Sequence, residues 1–226
     1  MVNPRFYGQW DPPVDKVLYM NYFYEIKDGF FVDCGAAEGV LYSCTKFFED
    51  SLDWKGVCIE PSPKAFAPLQ TNRKATNLNL GLSNKDGNVI FTEAFKPGNS
   101  GGAIDYLPKL KNWVAGFGYS FLDIQVDVIT YRSLIERLGI NKVDLMIIDV
   151  EGHEMQVIEG MVGASVLPKV ICIEYTITGM NRITKALSGL GYHFDFISFN
   201  NAFLSTGFPE KEWFGITEQL ACYQDG

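Results

Sequence analysis

One stretch of the sequence constrains the fold more than any other: residues 29–63, GFFVDCGAAEGVLYSCTKFFEDSLDWKGVCIEPSP. Its apolar run at 30–32 is typical of a buried parallel strand. The turn Gly35-Ala-Ala-Glu-Gly39 comes next, and small residues let a backbone turn sharply beside a ligand. Residues Leu41 to Phe48 predict a helix whose N-terminus faces that turn. A second apolar strand then ends on Glu60, which completes a β-α-β unit.

The position of Glu60 indicates what the turn binds. Glu60 follows Gly39 by 21 residues, near the spacing at which a dinucleotide-type site places an acid on the ribose hydroxyls. A carboxylate at the end of an apolar strand is costly unless it is paired. We therefore expect a nucleoside-bearing cofactor, with Glu60 on its ribose.

The rest of the chain continues the alternation of strands and helices. The turn at Asp86-Gly87 predicts a hairpin between strands at 76–82 and 89–93. Residues 96–120 are rich in glycine and predict an irregular, mobile connection. Further strands are predicted at 126–129, 143–150, 170–175, 194–199 and 202–205, and helices at 14–24, from 63 to about 73, at 131–138, up to about 161 and at 182–190.

This order of elements predicts the fold class and the domains. We expect an α/β fold, a Rossmann-like doubly wound and mostly parallel seven-stranded sheet with an antiparallel end. The strand at 143–150 is the most apolar and is predicted to be central. Residues 1–28 are expected to form a helical or lid segment, and residues 29–226 a single domain.

Composition excludes several classes of protein. The 226 residues are 47% apolar, with a net charge of -8, which argues against nucleic acid or an anionic membrane as the main partner. No run reaches the length of a membrane span, and the N-terminus lacks the pattern of a signal peptide. The five cysteines form no CxxC pair, and Cys34, Cys58 and Cys172 fall in predicted core strands. Reduced thiols and a cytoplasmic location are therefore expected.

The ends of the predicted strands carry acids and no bases. In an open α/β sheet these ends meet in one crevice, which here collects Asp33, Glu60, Asp149 with Glu151, and Glu174. A pyrophosphate would need donors, and no Lys or Arg stands at these positions. The glycine turn is also GxxxG, where nicotinamide enzymes have GxGxxG. A ligand with a ribose and an ammonium but no phosphate fits best, and S-adenosylmethionine meets these conditions.

Three motifs give the sequence a family resemblance. VDCGAAEG, CIEPSP and IDVEGHE, in that order, resemble the signatures of the FkbM-type methyltransferases, a branch of the class I S-adenosylmethionine-dependent group. The resemblance covers roughly residues 29–205. The sequence departs from many members at Ala37-Glu38, where they have Asn-x.

The resemblance implies methyl transfer from S-adenosylmethionine to an oxygen, often a hydroxyl of a sugar or a natural product. It implies that Gly35 and Gly39 admit the cofactor, that Glu60 binds the ribose, and that Asp149 or Asp33 pairs with the amino group. The acceptor is then a small molecule or a glycan. The full set of residues expected to bind the cofactor is Asp33, Gly35, Ala36, Ala37, Gly39, Glu60, Pro61, Ser62, Gly81, Leu82, Ser83, Asp149 and Val150.

An alcohol nucleophile benefits from a general base, and the sequence offers three. His153 is the first candidate, and Glu151 and Glu174 are its rivals. Each also has a purely structural interpretation: His153 as an orienting residue at a helix start, Glu151 as a first-turn acid, and Glu174 as a core-edge acid. Asp149, Glu151 and Glu174 could also hold a hard divalent cation, but no ligand spacing demands one, so a metal is not expected.

Other functions stay open at this stage. The chain could be a small-metabolite O- or N-methyltransferase. It could also be a non-catalytic module that has the cofactor-binding fold and acts as an interaction partner. A NAD-dependent oxidoreductase is disfavoured by the glycine spacing. Acceptor specificity is expected to reside in residues 96–120 and in the N-terminal segment, and the sequence leaves the oligomeric state open.

Overall fold

The structure is a computed structural model of the chain, and it describes residues 5–97, 99–104, 108–207 and 213–216. The elements in chain order are α1 Val14–Tyr22, β1 Phe30–Cys34, α2 Lys46–Leu52, β2 Lys55–Ile59, α3 Pro63–Asn72, β3 Thr76–Leu78, β4 Gly81–Leu82, β5 Gly87–Lys96, β6 Asn99–Ile104, α4 Pro108–Ala115, β7 Ser120–Ile129, α5 Tyr131–Leu138, β8 Leu145–Ile148, α6 Glu154–Glu159, β9 Val170–Glu174, α7 Met180–Ser188, β10 His193–Ser198 and β11 Asn201–Ser205.

The most apolar strand lies at the centre of the main sheet, as predicted. The seven strands of this sheet follow the order β10-β11-β9-β8-β1-β2-β3. Strands β9, β8, β1, β2 and β3 are parallel, and β11 joins β9 and β10 as the antiparallel end. Every residue of β8 is buried, because the strand has neighbours on both edges and a layer of side chains on both faces. The predicted Rossmann-like fold class is confirmed.

A second sheet of four strands, in the order β4-β7-β5-β6, corrects several predictions. The expected strand at 76–82 is divided, because β3 pairs in the main sheet and β4 in the second one. The hairpin expected at Asp86-Gly87 was wrong: β5 pairs with β7 and β6 instead. Much of the connection expected at 96–120 is regular, since it contains β6 and α4. Pairing between strands that are distant in sequence produces this sheet, so local patterns miss it.

The second sheet leaves and rejoins the main domain at one point. Gly81 and Leu82 of β4 pair in parallel with Val128 and Ile129 of β7. The N–H of Ser83 donates to the carbonyl of Ile129 at 2.9 Å. The segment between β4 and β7 therefore begins and ends on neighbouring strands.

Cap residues bound the helix predicted at 131–138, whereas the helix expected from Leu41 is shorter than predicted. Thr130 caps α5 by accepting from the N–H of Ser133 at 3.0 Å, and Gly139 ends that helix in the left-handed region. The helix expected from Leu41 begins only at Lys46 and has no side-chain cap. Its N-terminus does not follow directly on the glycine turn, so the expected dipole contribution at that turn is not supported.

Helix α1 packs into the core of the main domain. Its buried residues Val17 and Leu18 belong to the same cluster as Phe31 of β1, Phe47 of α2 and Phe203 of β11. The boundary between residues 28 and 29 stays a prediction. No helix among the described residues is both long enough and apolar enough to span a bilayer.

One guanidinium cross-links the segments behind the glycine turn. Arg73 is buried and donates to Glu49 at 2.8 Å, to Thr45 at 2.8 Å and to Ser43 at 3.2 Å. It also lies 3.6 Å from the carboxylate of Asp33 in β1. Because the charges and the hydroxyls satisfy one another, this polar cluster is tolerated inside the core.

Replacing Arg73 should be strongly destabilising. Arg73→Met keeps the length of the side chain but leaves the carboxylates of Asp33 and Glu49 buried without their counter-charge. Breaking a buried pair in this way costs about 3–5 kcal/mol, which is roughly 10 °C or more in Tm for a domain of this size. Arg137→Ala, which removes only an exposed pair with Asp86, is the control and should cost under about 1 kcal/mol. Thermal unfolding measures both, and equal effects would contradict the assignment of Arg73.

Candidate active site

The order of strands reverses beside β1, which opens a crevice between β1 and β8. The glycine turn that follows β1 closes this crevice from below. Gly35 and Ala36 both donate their N–H groups to the carbonyl of Ile59, each at 3.0 Å. A Cβ on Gly35 would lie 1.8 Å from the carbonyl oxygen of Asp149, and its φ is +93°. Gly35 is therefore required because the backbone after β8 passes directly against it.

Glu60 clamps the glycine turn to the end of β2. Its two carboxylate oxygens accept from the N–H of Ala37 at 2.9 Å and from the N–H of Ser62 at 2.8 Å. Ala37 has a φ of +47°, a left-handed conformation that the hydrogen bond helps to hold. Burial raises the pKa of Glu60 to about 7, although the two N–H donors act in the opposite direction. The carboxylate also lines the cavity above the turn, where its remaining lone pairs can accept from hydroxyl groups.

The cavity above the turn has a volume of about 370 Å³, within the range of ligand sites. Ten of the sequence-predicted residues line it, and apolar side chains from both sheets form the remaining wall. No Lys or Arg lines it among the described residues, so it offers acids and backbone groups but no side chain to neutralise a phosphate. The predicted residues found on this lining are Gly35, Ala37, Glu60, Pro61, Gly81, Leu82, Asp149, Val150, Glu151 and His153.

Three carboxylates converge beside this cavity, and two of them, Asp149 and Glu151, line it, whereas Glu174 does not. Asp149 and Glu151 follow β8, Glu174 ends β9, and one oxygen from each lies within 4.8 Å of the others. Asp149 and Glu151 are exposed to the cavity, but the protein around them limits their hydration. This desolvation raises the pKa of Asp149 well above its usual range, and the charges of Glu174 and Glu151 raise it further. Desolvation also raises the pKa of Glu151 to about 7, with Glu174 and Glu154 adding to the effect. Because the acids repel one another, the cluster favours a positive charge among them.

Either an ammonium group or a hard divalent cation could supply that charge. Carboxylate oxygens are the ligands that Mg²⁺ and Ca²⁺ prefer. The same oxygens are good acceptors for the three donors of an ammonium. Glu151 has a φ of +54°, a conformation that orients its side chain from a strained turn.

The N-terminal segment reaches this cluster through a chain of hydrogen bonds. The indole N–H of Trp10 donates to Oδ1 of Asn200 at 3.0 Å, and Nδ2 of Asn200 donates to Glu174 at 2.8 Å. Trp10 also stacks on Phe199, with ring centroids 5.0 Å apart. Residues before α1 thus help to set the position of one of the acids.

His153 occupies a more enclosed position than its rivals. It is buried, and its Nε2 lies 3.0 Å from Oγ of Ser83. The neighbouring Glu154 accepts from the N–H of Gly152 at 2.9 Å and from the hydroxyl of Thr178, so it fixes the loop rather than the ligand. Ser83, a predicted cofactor residue, is itself buried and does not line the cavity, so it contacts His153 from behind the lining.

Several predicted cofactor residues serve the framework. Asp33 does not line the cavity, since its carboxylate accepts from Thr45 at 2.5 Å and faces Arg73. Gly39 also lies off the lining: a Cβ there would lie 2.6 Å from side-chain atoms of both Arg73 and Leu69. Ala36 packs into the core behind the turn, and Ser62 caps α3 by accepting from the N–H of Ala65 at 3.3 Å.

The structure also adds residues that sequence reasoning missed. Gln9 and Tyr42 line the cavity from the N-terminal side, and a short parallel bridge joins Gly8 to Tyr42. No local signal identifies them, because their role depends on a contact between distant segments. The main sheet and α3 also supply Cys34, Ile59 and Ala65, and the second sheet supplies Phe91, Gly101, Gly102 and Ile104.

Comparison with known proteins decides the family. The family model described as the methyltransferase FkbM domain matches residues 33–194. The chain belongs to this FkbM methyltransferase family. The match begins within β1 and contains the glycine turn, Glu60 and the acidic cluster, so most of the residues that line the cavity lie within it. The sequence resemblance is thereby confirmed.

Two relatives of the FkbM domain described here are informative. "Methyltransferase 1" of Beauveria bassiana (strain ARSEF 2860) is 26% identical over 173 residues, which cover 66% of each chain. The crystal structure of methyltransferase FkbM from Methylobacillus flagellatus KT matches with a TM-score of 0.50 at 13% identity, covering 84% of this chain and 47% of that one. The chain thus spans just under two thirds of the first relative and about half of the second. The structural likeness supports the fold alone.

The acidic cluster gives the FkbM domain a testable pH dependence. In the ligand-free protein, Glu151 is protonated at low pH, and its ionisation is unfavourable in the folded state because its pKa is raised to about 7. An acid whose pKa is raised on folding, here from its ordinary 4.5 to about 7, lowers stability as the pH rises from the lower value to the higher one. We therefore expect Glu151 to lower Tm between about pH 5 and pH 7, with no further contribution above that range, and Glu151→Gln to reduce this fall. Fluorimetric melting curves over this range measure it, and equal slopes for the two proteins would contradict the cluster's electrostatics.

Proposed function

We propose that this chain is an S-adenosylmethionine-dependent O-methyltransferase that acts on a hydroxyl of a sugar or glycoconjugate. One observation carries the proposal: a cavity at the strand-order reversal has Glu60 on one wall, is lined by two acids of a three-acid cluster, and has no basic side chain among its described lining. This lining matches a ligand that has a ribose and an ammonium group but no phosphate. The FkbM family membership supports a methyl-transfer reaction.

The residues fit this cofactor. Glu60 retains lone pairs for the ribose hydroxyls beyond the two backbone hydrogen bonds it accepts. The apolar side chains of Ile59, Leu82 and Ile104 suit a flat base. Asp149 suits the ammonium of the methionine part, because a positive charge relieves the repulsion that raises its pKa.

When bound, the cofactor would supply a methyl group activated by a sulfonium, whose sulfur becomes a neutral thioether when the methyl group passes to the acceptor oxygen. The protein then has two tasks, to align the acceptor and to remove its proton.

Glu151 is the best placed base. It lines the cofactor cavity and also a second cleft beside it, so it can contact groups in both. Its pKa of about 7 suits a group that gains and loses a proton near neutral pH. His153, the first candidate from the sequence, lines only the cofactor cavity and is held by Ser83. Glu174, the third candidate, is anchored by Asn200, and we assign it to tuning the charge of the cluster.

We also propose a cytoplasmic location. Cys34, Cys44, Cys58 and Cys172 are free thiols in the structure, and three of them are buried. Cys222 lies outside the described residues. Thiols of this kind suit a reducing compartment.

Cofactor binding is tested by thermal shift. S-adenosylhomocysteine at about 100 times its Kd should stabilise the protein by roughly 2.7 kcal/mol, or about 5–10 °C at this chain length, while NAD should give no shift. Glu60→Ala should melt earlier, because the clamp on Ala37 is lost, and should no longer respond to the ligand. The circular dichroism spectrum checks that the variant is folded. No response of the unsubstituted protein to saturating S-adenosylhomocysteine would overturn the proposed function.

The base is tested by turnover against binding. With an acceptor found by a labelled-cofactor screen, Glu151→Gln should lower kcat by about 10²–10⁴ and retain S-adenosylhomocysteine binding. His153→Gln is the matched comparison, since it can keep a hydrogen bond to Ser83, and it should lower kcat by less than about tenfold. The reverse order of effects would return the role to His153.

A further inference from the structure

A second cleft lies beside the cofactor cavity, and nothing in the proposed function yet uses it. It has a volume of about 400 Å³ and is formed by strands β5 and β6 together with α4 and the turn that follows this helix. All of these elements belong to the segment of the second sheet. The cleft therefore lies outside the Rossmann-like sheet that holds the cofactor cavity.

The two cavities meet along a shared lining. Gly101 and Gly102 of β6 and the side chain of Glu151 line both of them. A Cβ built on Gly101 would have no atom within 4 Å, so the absence of a side chain leaves open space on the shared lining. A molecule in the second cleft can therefore extend a group to Glu151 at the edge of the cofactor cavity.

Aromatic rings dominate the lining of this cleft. Trp113 of α4 is 63% exposed and Phe117 is 58% exposed, and their ring centroids lie 4.8 Å apart in an edge-to-face arrangement. Tyr119 adds a third ring, and Leu110 and Val114 add aliphatic surface. Large apolar side chains exposed together in this way are typical of a binding site.

Polar side chains are few in this lining. Lys96 lies with its Nζ 4.4 Å from the ring centroid of Tyr119, and Glu151 lies where the lining is shared with the cofactor cavity. These are the charged groups among the described residues of the cleft. An apolar ring can pack its whole face on these aromatic side chains, whereas a sugar can offer only its C–H face and must keep its hydroxyl groups hydrated.

We propose that this cleft is the acceptor site, and that it selects a glycoconjugate with an apolar ring as its aglycone. The ring packs on Trp113 and Phe117, while the hydroxyl to be methylated reaches Glu151 past Gly101. This inference rests on the proposed function, because the lining shared with the cofactor cavity identifies the occupant as the acceptor. It assigns specificity to Trp113 and Phe117.

Two glucosides that differ only in the aglycone test the proposal. Phenyl β-glucoside and methyl β-glucoside are titrated into the protein saturated with S-adenosylhomocysteine, and saturation-transfer NMR gives both the affinity and the protons in contact. We expect the phenyl compound to bind about tenfold more tightly, with the strongest saturation on its ring. Trp113→Ala and Phe117→Ala should each remove most of this difference and leave the affinity for S-adenosylhomocysteine unchanged within about twofold.

Ile90→Ala is the matched control, since Ile90 is 59% exposed on the same sheet but does not line the cleft. It should bind both glucosides as the unsubstituted protein does. Equal affinities for the two glucosides, or a preference that survives both aromatic substitutions, would overturn the acceptor assignment even if S-adenosylhomocysteine binds normally. Failure of S-adenosylhomocysteine to bind would instead overturn the proposed function and this inference with it.

Discussion

The hydrogen bonds accepted by Glu60 hold the site together. One carboxylate joins the N–H of Ala37, in the glycine turn after β1, to the N–H of Ser62, at the start of α3. Both segments would otherwise be loops with unsatisfied backbone groups next to a cavity. The same carboxylate faces that cavity, so the group that fixes the floor is also the group available to a ligand. Structure and binding are therefore inseparable at this residue, and its raised pKa reflects the cost of keeping a charge there.

The buried Arg73 also holds the glycine turn in place, from the side away from the cavity. Arg73 binds Glu49, Thr45 and Asp33, and it fills the space that a side chain on Gly39 would need. The two positions of the GxxxG turn thus require glycine for different reasons. Gly35 is required by the backbone of Asp149, and Gly39 by the guanidinium packed behind it. Neither is explained by contact with a ligand alone.

Sequence patterns predicted the parallel strands of the main sheet and its central strand, because these strands are short apolar runs bounded by turns. The order of the other strands comes from the structure. The patterns also placed Glu60, Asp149 and Glu151 at one edge, since strand ends converge. They failed where distant pairing decides the outcome. Alternation along β1 sends Asp33 and Cys34 to opposite faces, and only the buried partner Arg73 reveals which face has the ligand. The second sheet was missed because a glycine-rich strand such as β6 has almost no strand signal of its own.

The attachment of the second sheet has a consequence for how such a protein can change over evolution. Its segment departs after β4 and returns on β7, and these two strands are hydrogen-bonded neighbours. Lengthening, shortening or exchanging the segment would therefore not alter the register of the seven-stranded sheet, because the ends of a long excursion that already lie together cost little more to close. Natural selection can vary those parts of the segment that lie away from Phe91, Gly102 and Ile104, which line the cofactor cavity. The half of the molecule that holds Glu60 and Asp149 can stay constant while the rest of the segment diversifies.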